Sequence, residues 1–142
     1  MRNRVMIIIT ATLLIIGVAC KAKLVSNESK TLQKPSGAWQ LVEINARNIT
    51  NDTLKFSAPF IQISDTTTHF GGKDGCNSFG GEAEFKGDSA KIKIKFSTKM
   101  YCMESIDQEF NATIQKVNLW KIEGSTLILN RDKEVIMRFV KK

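Results

Sequence analysis

Lys91-Ile92-Lys93-Ile94-Lys95-Phe96 is the stretch that decides the fold class. Charged and apolar residues alternate strictly along it, and a strand sends successive side chains to opposite faces. Read this way, Ile92, Ile94 and Phe96 face a core, while Lys91, Lys93 and Lys95 face water. Together with the short spacing of its neighbouring strands and the few long connections, this alternation points to an antiparallel sheet. The lysines also discourage edge-to-edge pairing between molecules.

Strand patterns continue in both directions from this stretch. Upstream, Phe60-Ile61-Gln62-Ile63 follows Pro59, and Trp39 and Leu41 alternate with Gln40 and Val42 in an opening strand. Turn chemistry separates these two strands over Asn45 to Asp52. Gly71 to Gly81 holds five of the nine glycines and is expected to be a turn region, with Asn77 capping a turn or sitting in αL geometry. Downstream, Ile106, Phe110, Ile114 and Val117 recur at helical spacing. Ser105 and Gln108 fit a capping box, so one helix is expected over about Ser105–Val117. Trp120–Ile122, Thr126–Leu129 and Val135–Val140 read as closing strands, with turns at Gly124-Ser125 and Asn130–Lys133. The expected class is α+β, mainly antiparallel β: a small barrel-like curved sheet with one packed helix.

The first residues read differently. Arg2 and Arg4 precede an uncharged run from Val5 to Cys20. That run is shorter than the roughly 20 apolar residues a spanning helix needs. It ends in Gly17-Val18-Ala19-Cys20, small residues before a cysteine. This is the pattern of a lipoprotein signal peptide, with residues 1–19 removed and Cys20 carrying the lipid. The fit departs from the commonest box at one place: Gly17 stands where a Leu is usual, and Ile16 lies one position further back. Plain secretion and an uncleaved anchor are the rival readings. Residues 21–36 are polar and carry no aromatic residue, so residues 20–36 read as a lipidated cysteine and a flexible tether with a reach of roughly 20–24 Å. The folded domain is expected over 37–142.

The whole chain has 142 residues, 21 Lys+Arg and 14 Asp+Glu, for a net charge of +7; loss of residues 1–19 removes Arg2 and Arg4 and lowers this to +5. The length suits one domain and excludes a large α/β barrel or a two-domain enzyme. The composition excludes a collagen, a disordered tail and a polytopic membrane protein.

Three segments together resemble the META domain family, which includes heat-shock lipoproteins of the HslJ type. They are Trp39-Gln40-Leu41, then Gly75-Cys76-Asn77-Ser78-Phe79-Gly80-Gly81, then Thr98-Lys99-Met100-Tyr101-Cys102. The second matches Gly-Cys-Asn-x-aromatic-x-Gly, and the third matches Thr-x-Met-x-Cys. The motif residues are thus Trp39, Gly75, Cys76, Asn77, Phe79, Gly81, Thr98, Met100 and Cys102. The resemblance covers roughly 37–142 and implies a barrel-like α+β fold in exported, stress-associated proteins. It implies no catalytic residues.

Setting Cys20 aside leaves Cys76 and Cys102 as an even pair in an oxidising compartment, and a disulfide between them is expected. A buried reduced pair and a redox-active pair are the alternatives. The spacing lacks the Cys-x-x-Cys of redox motifs.

Other constellations are weak. His69 is the only histidine and has no evident partners for a triad. A metal set of His69, Asp74, Cys76 and Cys102 has no recognised ligand spacing, so no metal or cofactor is expected. Gly72-Lys73 is followed by Asp74, which does not fit a phosphate loop. Carboxylates such as Asp107 and Glu109 read as a solvated helix face. The lysine stripe could attract a polyanion, but no aromatic platform interleaves with it, and nucleic acid is not an expected partner. Asn27, Asn48, Asn51 and Asn111 match N-x-Ser/Thr by chance, since a bacterial lipoprotein leaves them unmodified.

The resulting expectation is a non-enzymatic bacterial envelope lipoprotein, a binding or stress-protection module held to the membrane through Cys20. Lys21 in place of Asp points to the outer membrane, facing the periplasm. The alternatives are an inhibitor of a lysozyme or protease, presenting a loop over Thr66–Asp74, and a small-ligand or lipid carrier using the barrel interior.

Overall fold

The computed structural model describes residues 34–50 and 57–142. The expected leader, lipidation at Cys20 and the expected tether up to residue 33 lie outside the described residues.

Nine strands and one helix follow in the order β1 (Gly37–Ile44), β2 (Arg47–Asn48), β3 (Phe60–Ile63), β4 (His69–Lys73), β5 (Ser78–Lys86), β6 (Ser89–Ser97), α1 (Asp107–Ile114), β7 (Leu119–Glu123), β8 (Thr126–Arg131) and β9 (Glu134–Lys141). All the strand pairings are antiparallel. The sheet order is β2-β1-β3-β4-β5-β6-β7-β8-β9, and β9 returns to pair with β1. All the strands except β2 therefore form a closed ring. This is the expected α+β class, a curved antiparallel sheet with one helix.

The ring is thinnest between β6 and β7, whose register holds one pair, Ser89 with Leu119. Two flanking bonds reinforce it, from Ala90 N–H to Asn118 O and from Trp120 N–H to Asp88 O. Beyond that point β6 and β7 part, and the chain between them contains α1. The apolar face read from the sequence is the buried one: Ile106, Phe110, Ile114 and Val117 all join the core. Phe79, pointing in from β5, lies between Phe70 and Phe110 at ring distances of 5.4 and 5.6 Å. Leu41, Ile44, Ile61, Ile63, Leu127, Leu129, Met137 and Phe139 complete an interior with almost no solvent access.

The helix is shorter than expected. It runs Asp107–Ile114, with Ile106 at the cap position and no side-chain cap. Ser105 Oγ does accept the Asp107 N–H at 3.2 Å, but the reciprocal bond of a capping box does not form and Gln108 faces solvent. Glu104 takes a positive φ of 60°, so the chain turns sharply just before the helix. Past Ile114 a tightened turn, Lys116 N–H to Thr113 O, ends the helix and still buries Val117.

Phe96 corrects the reading of β6. Ile92 and Ile94 pair opposite Ala83 and Gly81, and they face inward as expected. The register then shifts: Gly81 pairs with Ile94, and Gly80 pairs with Phe96. Lys95 is the extra residue of a bulge, and a bulge reverses the facing of everything after it. Phe96 is consequently exposed. A similar shift between Leu41 and Glu43 turns Ile44 inward in β1.

Gly71–Gly81 is also corrected. Only the stretch from Asp74 to Asn77 is a turn. The flanking glycines lie in β4 and β5, where Gly71 pairs with Gly80, Gly72 with Phe79 and Phe70 with Gly81. A Cβ on Gly81 would lie 2.0 Å from the Lys93 carbonyl oxygen, so close backbone packing demands glycine there.

At the barrel end where β1 begins, residues 34–36 already pack on the barrel. The Trp39 indole donates to Pro35 O at 2.9 Å, and Lys34 and Lys141 donate to Thr67 O and Ser36 O.

Candidate functional site

At the opposite end of the barrel, the β4–β5 turn, the connection after β6 and one face of α1 meet. Asp74 is the hub. It is fully buried, and its Oδ1 accepts the backbone N–H groups of Cys76 and Asn77 at 3.0 and 2.6 Å. The Asp74 N–H closes the turn on Asn77 O at 3.0 Å. Its other oxygen, Oδ2, accepts the Asn111 side-chain amide of α1 at 2.8 Å. An Asp in an Asx-turn suits this geometry, because its short side chain reaches its own backbone two residues on. Gly75 sits at φ +107°, a left-handed conformation that favours glycine, and a Cβ there would press on Ile106 at 2.9 Å.

Asn77 carries the second half. Its Oδ1 accepts the Met100 N–H at 2.7 Å and the Thr98 hydroxyl at 3.1 Å. Thr98 Oγ1 in turn accepts the Ser78 N–H at 3.1 Å, and the Thr98 N–H donates to Ser78 O at 2.9 Å. Beside these bonds Cys76 and Cys102 form a disulfide, with Sγ atoms 2.07 Å apart. A second tie holds α1 from the other side: Glu109 receives Asn45 Nδ2 at 2.9 Å and Arg47 Nη2 at 2.6 Å.

The structure thus brings Gly75, Cys76, Asn77, Thr98, Met100 and Cys102 into one cluster, with Phe79 directly beneath it in the core. Gly81 serves further along β5. Trp39 lies apart, at the end of the barrel where β1 begins, with the Lys141 ammonium 4.5 Å from its ring centre. Met100 contributes its backbone, and its side chain is exposed. His69 is exposed on β4 opposite Glu82 and does not approach the cysteines. Among the described residues, no group of three or more His, Cys, Asp or Glu is arranged to hold a metal. Segment 66–74, named for a protruding loop, is mostly strand β4; residues 98–104 form an irregular, mostly exposed connection.

The sequence reading missed Asp74 and Asn111 as structural residues. Asp-Gly-Cys-Asn carries an Asx-turn signal that could have found Asp74. Asn111 lies 37 positions from Asp74, and no local pattern announces that contact. What this cluster does chemically is clamp: the oxygens of Asp74, Asn77 and Thr98 are directed at backbone groups and at neighbouring side chains, while Asn111 Oδ1 is buried with no hydrogen-bond partner among the described residues.

Fold and clamp together define a small closed antiparallel barrel whose disulfide ties the β4–β5 turn to the connection after β6 and whose helix is held to that turn through Asn111. The META domain model matches residues 19–142, and the chain belongs to the META domain family. No curated protein sequence matches it. Two solved structures share the fold. One is a protein solved by NMR, 21% identical, covering 77% of this chain and 90% of that one at a TM-score of 0.57. The other is a DUF4847 family protein from Bacteroides vulgatus, 18% identical, covering 75% and 93% at a TM-score of 0.55.

Proposed function

We propose that this chain is a bacterial envelope lipoprotein whose META domain is a non-enzymatic binding or stress-protection module. Cys20 carries the lipid after removal of residues 1–19, and the domain faces the periplasm from the outer membrane. The observation that carries the non-catalytic part is the clamp itself. Asp74, Asn77 and Thr98, the polar side chains of the motif region, hold backbone and neighbouring side chains together rather than standing in a cleft. The filled interior weighs against a carrier. Trp39, Leu127 and Phe139 point inward as a filled barrel requires, although Phe60 is half-exposed and Phe96 lies outside. The inhibitor reading loses its proposed loop, since His69–Lys73 is a strand.

The test is metabolic labelling with a fatty acid in a bacterial host, comparing the native chain with Cys20→Ser. Label on the native chain and none on the variant is the expected result. Equal absence of label, with the native chain in the soluble fraction, refutes the anchor.

A further inference from the structure

Four large apolar side chains stand exposed among the described residues: Phe96 at 65%, Met100 at 59%, Tyr101 at 89% and Met103 at 63%. All four fall within residues 96–103, and the other large apolar side chains described are buried or half-buried. Their presentation is built into the fold. The Lys95 bulge turns Phe96 outward, and its ring lies over Gly80, where a Cβ would meet Phe96 Cζ at 2.2 Å. Met100 is held by its N–H on Asn77, and the disulfide fixes Cys102 between Tyr101 and Met103. Fixed backbone lowers the entropy lost when such side chains are buried by a partner.

The same side of the barrel is basic. Lys91, Lys93 and Lys95 line the outer face of β6, and Lys99 lies in the connection beyond it. On the neighbouring strand Glu82 pairs with Lys95 and Glu84 with Lys86. Lys93 and Lys91 stand opposite Glu82 and Glu84 across the β5–β6 pair, and the Lys93 charge helps lower the Glu82 carboxyl, but no salt bridge closes at Lys91, Lys93 or Lys99 with a described residue, so lysines outnumber carboxylates on this face. Apolar and aromatic tips bordered by lysines match the interface of an anionic bilayer: the tips enter the acyl boundary, and the ammonium groups stay among the phosphates.

We propose that β6 and residues 96–103 form a docking face for an anionic phospholipid surface, with the barrel lying on its β6 side. The proposal rests on the anchor reading for proximity alone.

Methionine oxidation reads this face directly. The full chain is placed on phosphatidylglycerol/phosphatidylethanolamine vesicles or on phosphatidylcholine vesicles and treated with hydrogen peroxide. Mass spectrometry then follows sulfoxide at Met100 and Met103, with fully buried Met137 as the internal control. Oxidation of Met100 and Met103 is expected to be roughly fivefold slower on the anionic vesicles, an advantage lost in about 1 M salt. Lys93→Glu/Lys95→Glu/Lys99→Glu is expected to abolish the difference while Met137 stays protected. Equal rates on both vesicle types overturn the proposal. So does protection that appears only with an envelope protein fraction, which assigns the face to a protein partner. The intact mass reads lipidation of Cys20 separately. A chain with bare Cys20 refutes the anchor, and its co-flotation with anionic vesicles still decides the docking face.

Discussion

Reducing the Cys76–Cys102 disulfide is the most direct quantitative test of the clamp. The bond closes a separation of 26 residues. The chain-entropy relation assigns a closed loop of that length about 3.5 kcal/mol, mostly by restricting the unfolded chain. For roughly 100 ordered residues, that corresponds to a fall of about 15 °C in melting temperature. The full amount appears only if the native fold survives reduction. It should, because Asn77 still holds the Met100 N–H and the Thr98 hydroxyl, and Asp74 still holds Asn111. The assay is thermal unfolding followed by circular dichroism, with and without reductant, alongside thiol labelling of the oxidised protein under native conditions. The expected outcome is one cooperative transition in each state, displaced by about that amount, and no labelling before reductant is added. A shift under about 3 °C refutes the reasoning, because the loop would then be held as well in the unfolded chain. Two freely labelled thiols at the outset refute the bond itself.

The remaining tests probe packing, register and charge. Asp74→Ala strands three donors and is expected to cost about 3–5 kcal/mol by chemical denaturation, with faster hydrogen exchange at Cys76 and Asn77; a cost under about 1 kcal/mol contradicts the hub. Phe110→Ala should cost about 3–5 kcal/mol, while Phe96→Ala should cost less than about 1 kcal/mol, and equal costs would put Phe96 back inside. Gly81→Ala meets the Lys93 carbonyl and is expected to cost more than about 2 kcal/mol; a neutral result rejects the close approach. The hydrogen bond and charge of Lys95 hold Glu82 below its ordinary 4.5, and Lys121 does the same for Glu123. A carboxylate lowered by folding stabilises the native state above its unfolded value and loses that contribution as pH falls through its folded one. Melting temperature should therefore drop below about pH 4.5, and Lys95→Gln/Lys121→Gln should flatten part of the drop at low salt. An unchanged curve in that variant would show the pairs to be without effect.

Period-2 alternation in β6 and the helical stripe from Ile106 to Val117 are local patterns, and the sequence carries them openly. The bulges are not local. Whether Phe96 points in or out depends on Gly80 and Gly81 in the neighbouring strand, so alternation in β6 alone misplaces it. The glycines of β4 and β5 mislead for a related reason. Counted along the chain they look like a turn, but across the sheet they are places where a Cβ would strike the next strand. The helix start is set by Glu104 at positive φ, which the capping pattern at Ser105 does not encode. In the candidate site the cysteine pair was legible from the number of cysteines and the expected oxidising compartment, whereas the Asp74–Asn111 contact joins elements that only the closed ring brings together.

The motif residues are internal parts of the fold. Gly75, Cys76, Asn77, Thr98 and Cys102 are explained by the clamp, and Phe79 and Gly81 by the core and the sheet. The physical reason for each is internal, so none of them requires a ligand. Met100 is the exception, because its backbone belongs to the clamp while its side chain is left in water. Phe96, Tyr101 and Met103 share that exposure; the Phe96 ring covers Gly80 on one side, yet most of its surface stays in water beside the other three. A partner surface supplies a reason for that exposure. The lysines beside them select an anionic one, which is why the first variants to make are at Lys93, Lys95 and Lys99 rather than at the motif cysteines.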